Sequence, residues 1–362
     1  MALAVSARTP WWSWTWPSLG FVILVVHLAH GPGSVLIAAE AVALIATVFA
    51  AVYHAEVVAL RVGEPFGTLV LALAVTTIEV ALIVSMMIAG GPETASLARD
   101  TLFAAVMIVC NGIIGVCLLA GGLKHYEQEF QLRGANAALS ILIALTTLTL
   151  ILPNVTTTIA GPTFSRHQLS FATIVSLILY GSFLFVQTLR HRDFFLPVGA
   201  DEGETHVPAP PNKVVLASAG LLLGSLVVVV ALAKVLTPAV EHGIETVGAP
   251  KGVVGIIIAG LVLLPEGLAA YRAAIVNRLQ TSVNLALGSA LASIGLTIPA
   301  VASISLFLNR PLTLGLDPKE EVLVALTLVI NILTLGTGRT TVLQGIVHLI
   351  IFAVFLFLAV VP

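Results

Sequence analysis

Polar turns divide this chain into a succession of apolar runs, at roughly 18–30, 35–53, 66–89, 101–121, 136–152, 169–188, 214–236, 253–271, 282–307, 321–337 and 342–361. A helix needs about 20 apolar residues to cross a hydrocarbon core of about 30 Å, and most runs approach that length while exceeding a barrel strand. Lipid offers backbone groups no partners, so such runs fold as helices, which satisfy their own N–H and C=O groups. Only 9% of the 362 residues are charged and 58% are hydrophobic, where a soluble domain carries about 25% charge. The fold class expected is an all-α polytopic membrane protein with about eleven transmembrane helices.

Several function classes recede at once. The net charge is −2 and no basic patch is present, which leaves nothing to bind nucleic acid. There is no H-E-x-x-H, no G-x-S-x-G and no Walker loop, so neither an intramembrane hydrolase nor an ATP-driven pump is expected, and the chain reads as no enzyme. Cys110 and Cys117 stand seven apart on one face of one helix and read as small packing residues.

Residues 1–17 hold Arg8 and tryptophans at 11, 12, 14 and 16, an interfacial collar before a short apolar run. That run has the length of a signal-peptide core. No small-residue cleavage site follows it, and Gly31-Pro32-Gly33 leads straight on, so residues 1–34 are expected to form a retained first helix. A cytoplasmic N-terminus places ten Lys and Arg residues inside and six outside, as the positive-inside rule favours.

The long hydrophilic segment 190–213 carries Pro197, Pro208, Pro210, Pro211 and the acidic patch Asp201, Glu202, Glu204. It lacks apolar periodicity and reads as a cytoplasmic linker. Five spans precede it in 35–189 and five follow in 214–362, so the second set inserts upside down relative to the first. Both sets contain the same opening turn. Val62-Gly63-Glu64-Pro65-Phe66-Gly67 and Val247-Gly248-Ala249-Pro250-Lys251-Gly252 share V-G-x-P-x-G, and an acid follows the last glycine by 12 residues (Glu79) or 14 (Glu266). A charge at mid-bilayer costs at least about 2.5–3.5 kcal/mol, which makes an intramembrane acid a functional candidate by default. Pro265 lacks an N–H for the Leu261 carbonyl, so the helix bearing Glu266 is expected to be interrupted there. Inverted repeats bind their substrate near the midplane, with each copy contributing a helix.

These residues carry a family resemblance. The chain from about residue 50 onward resembles the bacterial ChaA-type members of the cation/proton exchanger (CAX) family, within the calcium/cation antiporter superfamily. The resemblance rests on Gly67-Thr68-Leu69 running on to Glu79, and on Glu245 through Val254, then Glu266 and Gly288-Ser289. Ser165-Arg166, the Tyr180–His191 stretch and Leu343-Gln344-Gly345 add to it. It implies a bacterial inner-membrane exchanger in which Glu79 and Glu266 alternately bind a cation and protons; it also allows a homotrimer. Departures from the calcium-type pattern are Thr76 and Leu263 in place of asparagines three residues before each acid, Gly267 in place of a histidine, Ala292 in place of a glutamine, and Thr337 and Arg339 where an acidic run is expected. They leave Na⁺ and K⁺ open beside Ca²⁺.

Two buried carboxylates hold two protons or one divalent cation, but calcium takes six to eight oxygens. Supporting oxygens are sought at Thr76 and Thr77, at Ser85, at Asn111, which the family pattern also keeps, and at Ser289 and Ser293. Thr76 lies one turn before Glu79 on the same face. Each hydroxyl could equally serve helix packing. Burial disfavours a bare charge, and a proton or a cation relieves it, so the two compete for the same oxygens. The expectation is secondary active antiport that exports Ca²⁺, Na⁺ or K⁺ in exchange for H⁺, with no cofactor. Rival expectations are a monovalent-selective Na⁺(K⁺)/H⁺ antiporter and a cation channel lined by the same acids. Glu40 reads as a minor intramembrane polar contact, Asp100, Glu56, Glu64, Glu241 and Glu245 as solvated helix ends, and His54, His125, His191 and His242 as loop residues.

Overall fold

The computed structural model describes residues 9–63, 66–90, 95–196, 210–248, 250, 252–308 and 312–361. Glu64, Arg8 and the acidic patch at 201–204 lie outside them. Among the described residues the chain forms eleven long helices: α1 (Trp12–His30), α2 (Ser34–Val62), α3 (Phe66–Gly90), α4 (Leu97–His125), α5 (Leu132–Asn154), α6 (Arg166–Arg190), α7 (Asn212–Val247), α8 (Gly252–Ile275), α9 (Leu279–Leu308), α10 (Pro318–Leu335) and α11 (Val342–Val360). Ten are long and apolar enough to span a bilayer. The other, α10, has Lys319, Glu320 and Glu321 in its first turn. One short antiparallel pair, β1 (Gln128–Glu129) with β2 (Arg339–Thr340), joins the turns after α4 and α10. The all-α polytopic membrane fold is as expected.

The helices form two compact units, and each unit draws on both sides of the linker. The first contains α1, α2, α3 and α7; the second contains α4 to α6 and α8 to α11.

In the first unit the principal interface is α2 against α7, with α1 packed on both. A Cβ on Gly20 would lie 2.9 Å from Val228 Cγ1, so α1 crosses α7 at a small residue. The helix α1 starts at Trp12, and the tryptophans form its opening turns instead of a collar before it. Pro17 falls inside α1 and has no N–H to give the Ser13 carbonyl four residues back. His54 fills that vacancy, its Nε2 lying 2.9 Å from Ser13 O. His54 is thus a fully buried residue of α2, not a loop residue. Its partner is 41 positions away, beyond the reach of local sequence pattern. Glu40 is likewise a buried residue of α2, with Oε1 2.6 Å from His27 Nδ1 on α1.

In the second unit α4 is central. It packs on α8, α9, α10 and α11, and 78% of an 18-residue apolar stretch of it is buried. At the α4–α8 crossing a Cβ on Gly255 would lie 2.7 Å from the Asp100 carbonyl carbon. Asp100 is therefore buried rather than a solvated helix end. Arg99 Nε donates to its Oδ1 at 2.8 Å and Ser96 Oγ to its Oδ2 at 3.1 Å. Arg99 Nη1 also donates to the Gly315 carbonyl at 3.1 Å, which ties α4 to the segment before α10. Cys110 and Cys117 are free and buried, and Cys117 packs on Ala270 and Ala274 of α8.

Two segments that match the family pattern prove to be helix starts. Ser165 caps α6 and Thr341 caps α11, each in a reciprocal box with the glutamine three residues on, Gln168 and Gln344. Their role is to satisfy backbone donors.

The α1–α2 lock is testable. Replacing His54 with Leu leaves the Ser13 carbonyl buried and unpaired, and should destabilise the detergent-solubilised protein by about 1–3 kcal/mol. A glutamine at the same position restores a donor. Thermal unfolding should place His54→Gln between wild type and His54→Leu.

Candidate functional site

The site is assembled from the residues around each intramembrane acid, beginning with the turns that launch their helices. Gly63 and Gly248, the first glycines of the two V-G-x-P-x-G turns, have φ of +74° and +71°. Only glycine adopts this conformation without strain. Gly63 N–H closes the end of α2 by donating to the Ala59 carbonyl at 2.9 Å. The motif is thus a helix stop followed by a helix start, and it sets the register of the acid beyond it.

In the first unit, Glu79 is an interior residue of α3 with 1% of its surface exposed. Thr76, one turn earlier, is buried on the same face at 6% exposure. Thr77 is exposed, and its hydroxyl donates back to the Leu73 carbonyl at 2.6 Å. The two threonines named from sequence therefore separate: Thr76 accompanies Glu79 and Thr77 does not.

In the second unit, Glu266 is half-buried on α8, directly after the buried Pro265. The helix runs unbroken from Gly252 to Ile275, so Pro265 does not interrupt it as expected. A proline removes one donor, but the turns on either side keep their bonds, and packing of α8 on α4, α9 and neighbouring segments holds it helical. Leu263 lies three residues before Glu266, where the first copy has Thr76; it is buried and supplies no oxygen. Gly267 lies against Ile113 of α4, and a Cβ there would be 3.1 Å from Ile113 Cδ1. The histidine of the calcium-type pattern has no room at this position.

Among the described residues, irregular backbone occurs instead as π-helical segments of four other helices, including α5 at Thr147–Ile151 and α6 at Val186–Arg190. After α3, α4 widens into a π-helical segment at Ile108–Ile113, and after α8, α9 does the same at Ser293–Thr297. Such segments are rare and concentrate at functional sites. Asn111 lies in the first and Ser293 opens the second; both are buried, and Ser289 is half-buried one turn before. The second unit thus brings together the helices bearing Glu266, Asn111, Ser289 and Ser293, while Glu79, Thr76 and Thr77 belong to the first.

Three residues escaped the sequence reading. Thr327, Asn331 and Thr334 form a buried polar stripe along α10 with spacings of four and three, and His348, in the last helix as the sequence indicates, is buried beside them. The stripe was visible as helical periodicity of polar side chains within an apolar run. Its partner Asn111 lies 216 residues from Thr327, and nothing local points to that pairing.

With this arrangement in view, the comparisons become specific. The family model described as sodium/calcium exchanger protein matches the chain in two segments, residues 33–189 and 217–361. The chain belongs to this family. A relative named as the ionic transporter y4hA, from Sinorhizobium fredii (strain NBRC 101917 / NGR234), is 51% identical over 99% of this chain and 98% of its own. The sodium-potassium/proton antiporter ChaA of Escherichia coli (strain K12) is 35% identical over 98% of this chain and 97% of its own. The solved structure of native YfkE superposes with a TM-score of 0.75 at 19% identity, covering 97% of this chain and 100% of that one, and shares the fold. The ChaA-type resemblance read from the sequence is thereby borne out.

The Gly267–Ile113 contact generates a prediction. Gly267→Ala needs only a small shift of a flexible side-chain end. Gly267→His overfills the α4–α8 interface and should lower stability by about 1–3 kcal/mol, read as a fall in thermal midpoint well beyond that of the alanine variant.

Proposed function

We propose that this family member is a secondary active cation:proton antiporter in which the Glu79 and Glu266 carboxylates carry a cation and protons in turn. The observation that carries this reading is the two-segment family match, with one intramembrane glutamate in each segment, 12 and 14 residues beyond the last glycine of the same turn motif. The chemistry follows from burial. An ionised carboxylate away from water needs a counter-charge, and either a proton or a metal cation supplies one. If the protein changes access only when the carboxylates are loaded, cation and proton move in opposite directions. Thr76, Asn111, Ser289 and Ser293 are the neutral oxygens that would complete a cation's shell; Thr77, back-bonded and exposed, is the weakest of the set.

The two halves insert as inverted five-helix repeats in this reading, divided by the 190–213 linker. The N-terminus lies in the cytoplasm of a bacterial cell, the bilayer is the inner membrane, and a homotrimer is the assembly that the family resemblance allows. The exported ion is Ca²⁺, Na⁺ or K⁺. A second reading, monovalent-selective Na⁺(K⁺)/H⁺ exchange without Ca²⁺, is favoured by Leu263. Calcium asks for six to eight oxygens, and the second copy offers an apolar side chain where the first offers a hydroxyl. The E. coli relative named for sodium-potassium/proton antiport points the same way.

The test is proton flux in vesicles of reconstituted protein under an imposed pH gradient, with calcium, sodium or potassium added in turn. One or more cations should dissipate the gradient in wild type. Glu79→Gln and Glu266→Gln should each fall to the level of protein-free vesicles. Cation movement without protons would identify a channel instead, and normal exchange by either variant would defeat the two-carboxylate mechanism.

A further inference from the structure

Inside the second unit a chain of hydrogen bonds runs through side chains of three helices. Thr334 Oγ1 of α10 lies 3.0 Å from His348 Nε2, and His348 Nδ1 lies 3.1 Å from Asn111 Oδ1. Asn111 Nδ2 donates to Thr327 Oγ1 at 2.9 Å, and Thr327 Oγ1 donates to Met107 Sδ at 3.4 Å. Each of Thr334, His348, Asn111 and Thr327 is at most 4% exposed.

The bonds form one mutually consistent set of directions. The Thr327 hydroxyl gives its proton to Met107, so it accepts from the Asn111 amide nitrogen, and the Asn111 carbonyl oxygen is turned to His348. A carbonyl oxygen only accepts, so His348 Nδ1 carries the hydrogen. In the neutral ring Nε2 then accepts from the Thr334 hydroxyl. The backbone beneath is equally constrained: a Cβ on Gly345, three residues before His348, would lie 2.5 Å from Leu119 N of α4. The helix bearing His348 therefore sits against the helix bearing Asn111 with no slack between them.

The geometry points to His348 as a positioning residue that holds the Asn111 carbonyl oxygen in one orientation for the transported cation. This rests on the reading of Asn111 as a cation-site residue. A carbonyl oxygen has two acceptor positions; His348 occupies one and the other remains for the ion. Without the His348 donor the Asn111 amide can rotate and present its NH₂ group, which repels a cation. His348 also bonds the Cys110 backbone, so its test needs a readout that a merely structural role would not move. Asn331 belongs to the same stripe: its Nδ2 donates to the Thr327 carbonyl at 2.8 Å, while its buried Oδ1 has no hydrogen-bond partner among the described residues.

The test exploits the two ring nitrogens. Asparagine at 348 keeps a donor near the Nδ1 position, facing Asn111; glutamine places its polar end near Nε2, facing Thr334. In reconstituted vesicles, with Na⁺, K⁺ and Ca²⁺ each titrated against proton flux, His348→Asn should stay within about threefold of the wild-type half-saturating concentration. His348→Gln and His348→Leu should raise it about tenfold, with maximal rates much less affected. Asn111→Ala should show a similar rise, and adding His348→Gln to it should bring no further shift, because coupled residues are not additive. Unchanged half-saturation in folded His348→Gln, an asparagine variant as impaired as leucine, or additive shifts in the double variant would each overturn the assignment. Glu79→Gln, run alongside, reports separately: exchange that survives it defeats the two-carboxylate reading, whatever the His348 series shows.

Discussion

The bilayer interior supplies no hydrogen-bond partners, and this one constraint accounts for most of what the described residues do. The carbonyl that Pro17 leaves unpaired at Ser13 receives the His54 ring. The first N–H groups of α6 and α11 are closed by Ser165–Gln168 and Thr341–Gln344. The Asp100 carboxylate is met by Arg99 and Ser96. Each is a local solution within a protein, since an unmet polar group in hydrocarbon costs several kcal/mol. Against that background an intramembrane carboxylate whose counter-charge is mobile stands apart. In the proposed antiport Glu79 and Glu266 gain a use from the same physics that makes them costly, because whatever neutralises them is carried along.

The two copies of the repeat have not stayed equivalent. Both keep the positive-φ glycine, the acid and a π-helical segment in the following helix. They differ one turn before the acid, where the first copy has Thr76 and the second Leu263, and within the π segment, where the first copy carries Asn111 and the second opens on Ser293.

Much of this was legible in the sequence because it is written in local patterns. The number of long helices and the repeated turn need no knowledge of tertiary contact, and all-helical architecture follows from the apolar runs alone. What escaped was set by pairings far apart in the chain. His54 looked like a loop residue because its partner Ser13 lies in another helix. Asp100 looked solvated because Gly315, to which its neighbour Arg99 is bonded, is 216 positions away. The stripe of Thr327, Asn331 and Thr334 had a visible period, yet its meaning depended on Asn111 and His348 arriving opposite it. Pro265 misled for a different reason: a missing donor predicts strain at one carbonyl, and tertiary packing decided that α8 continues.

That continuity relocates the irregular backbone. A helix broken at Glu266 would have offered its own carbonyls to an ion, as discontinuous helices do. Here the acid-bearing helices run on, and π-helical segments occur in the helices that follow them, α4 and α9, as they do in α5 and α6. A π turn inserts one residue into the ladder, weakens the local i→i+4 bonding and rotates the side chains beyond it relative to those before. In α4 the residue so placed is Asn111, and its amide is held from behind by His348 and Thr327. The wide turn supplies local give in the backbone while the side-chain network fixes the oxygen. A site that must bind, release and rebind within each cycle needs both properties, and in the second unit they come from different helices.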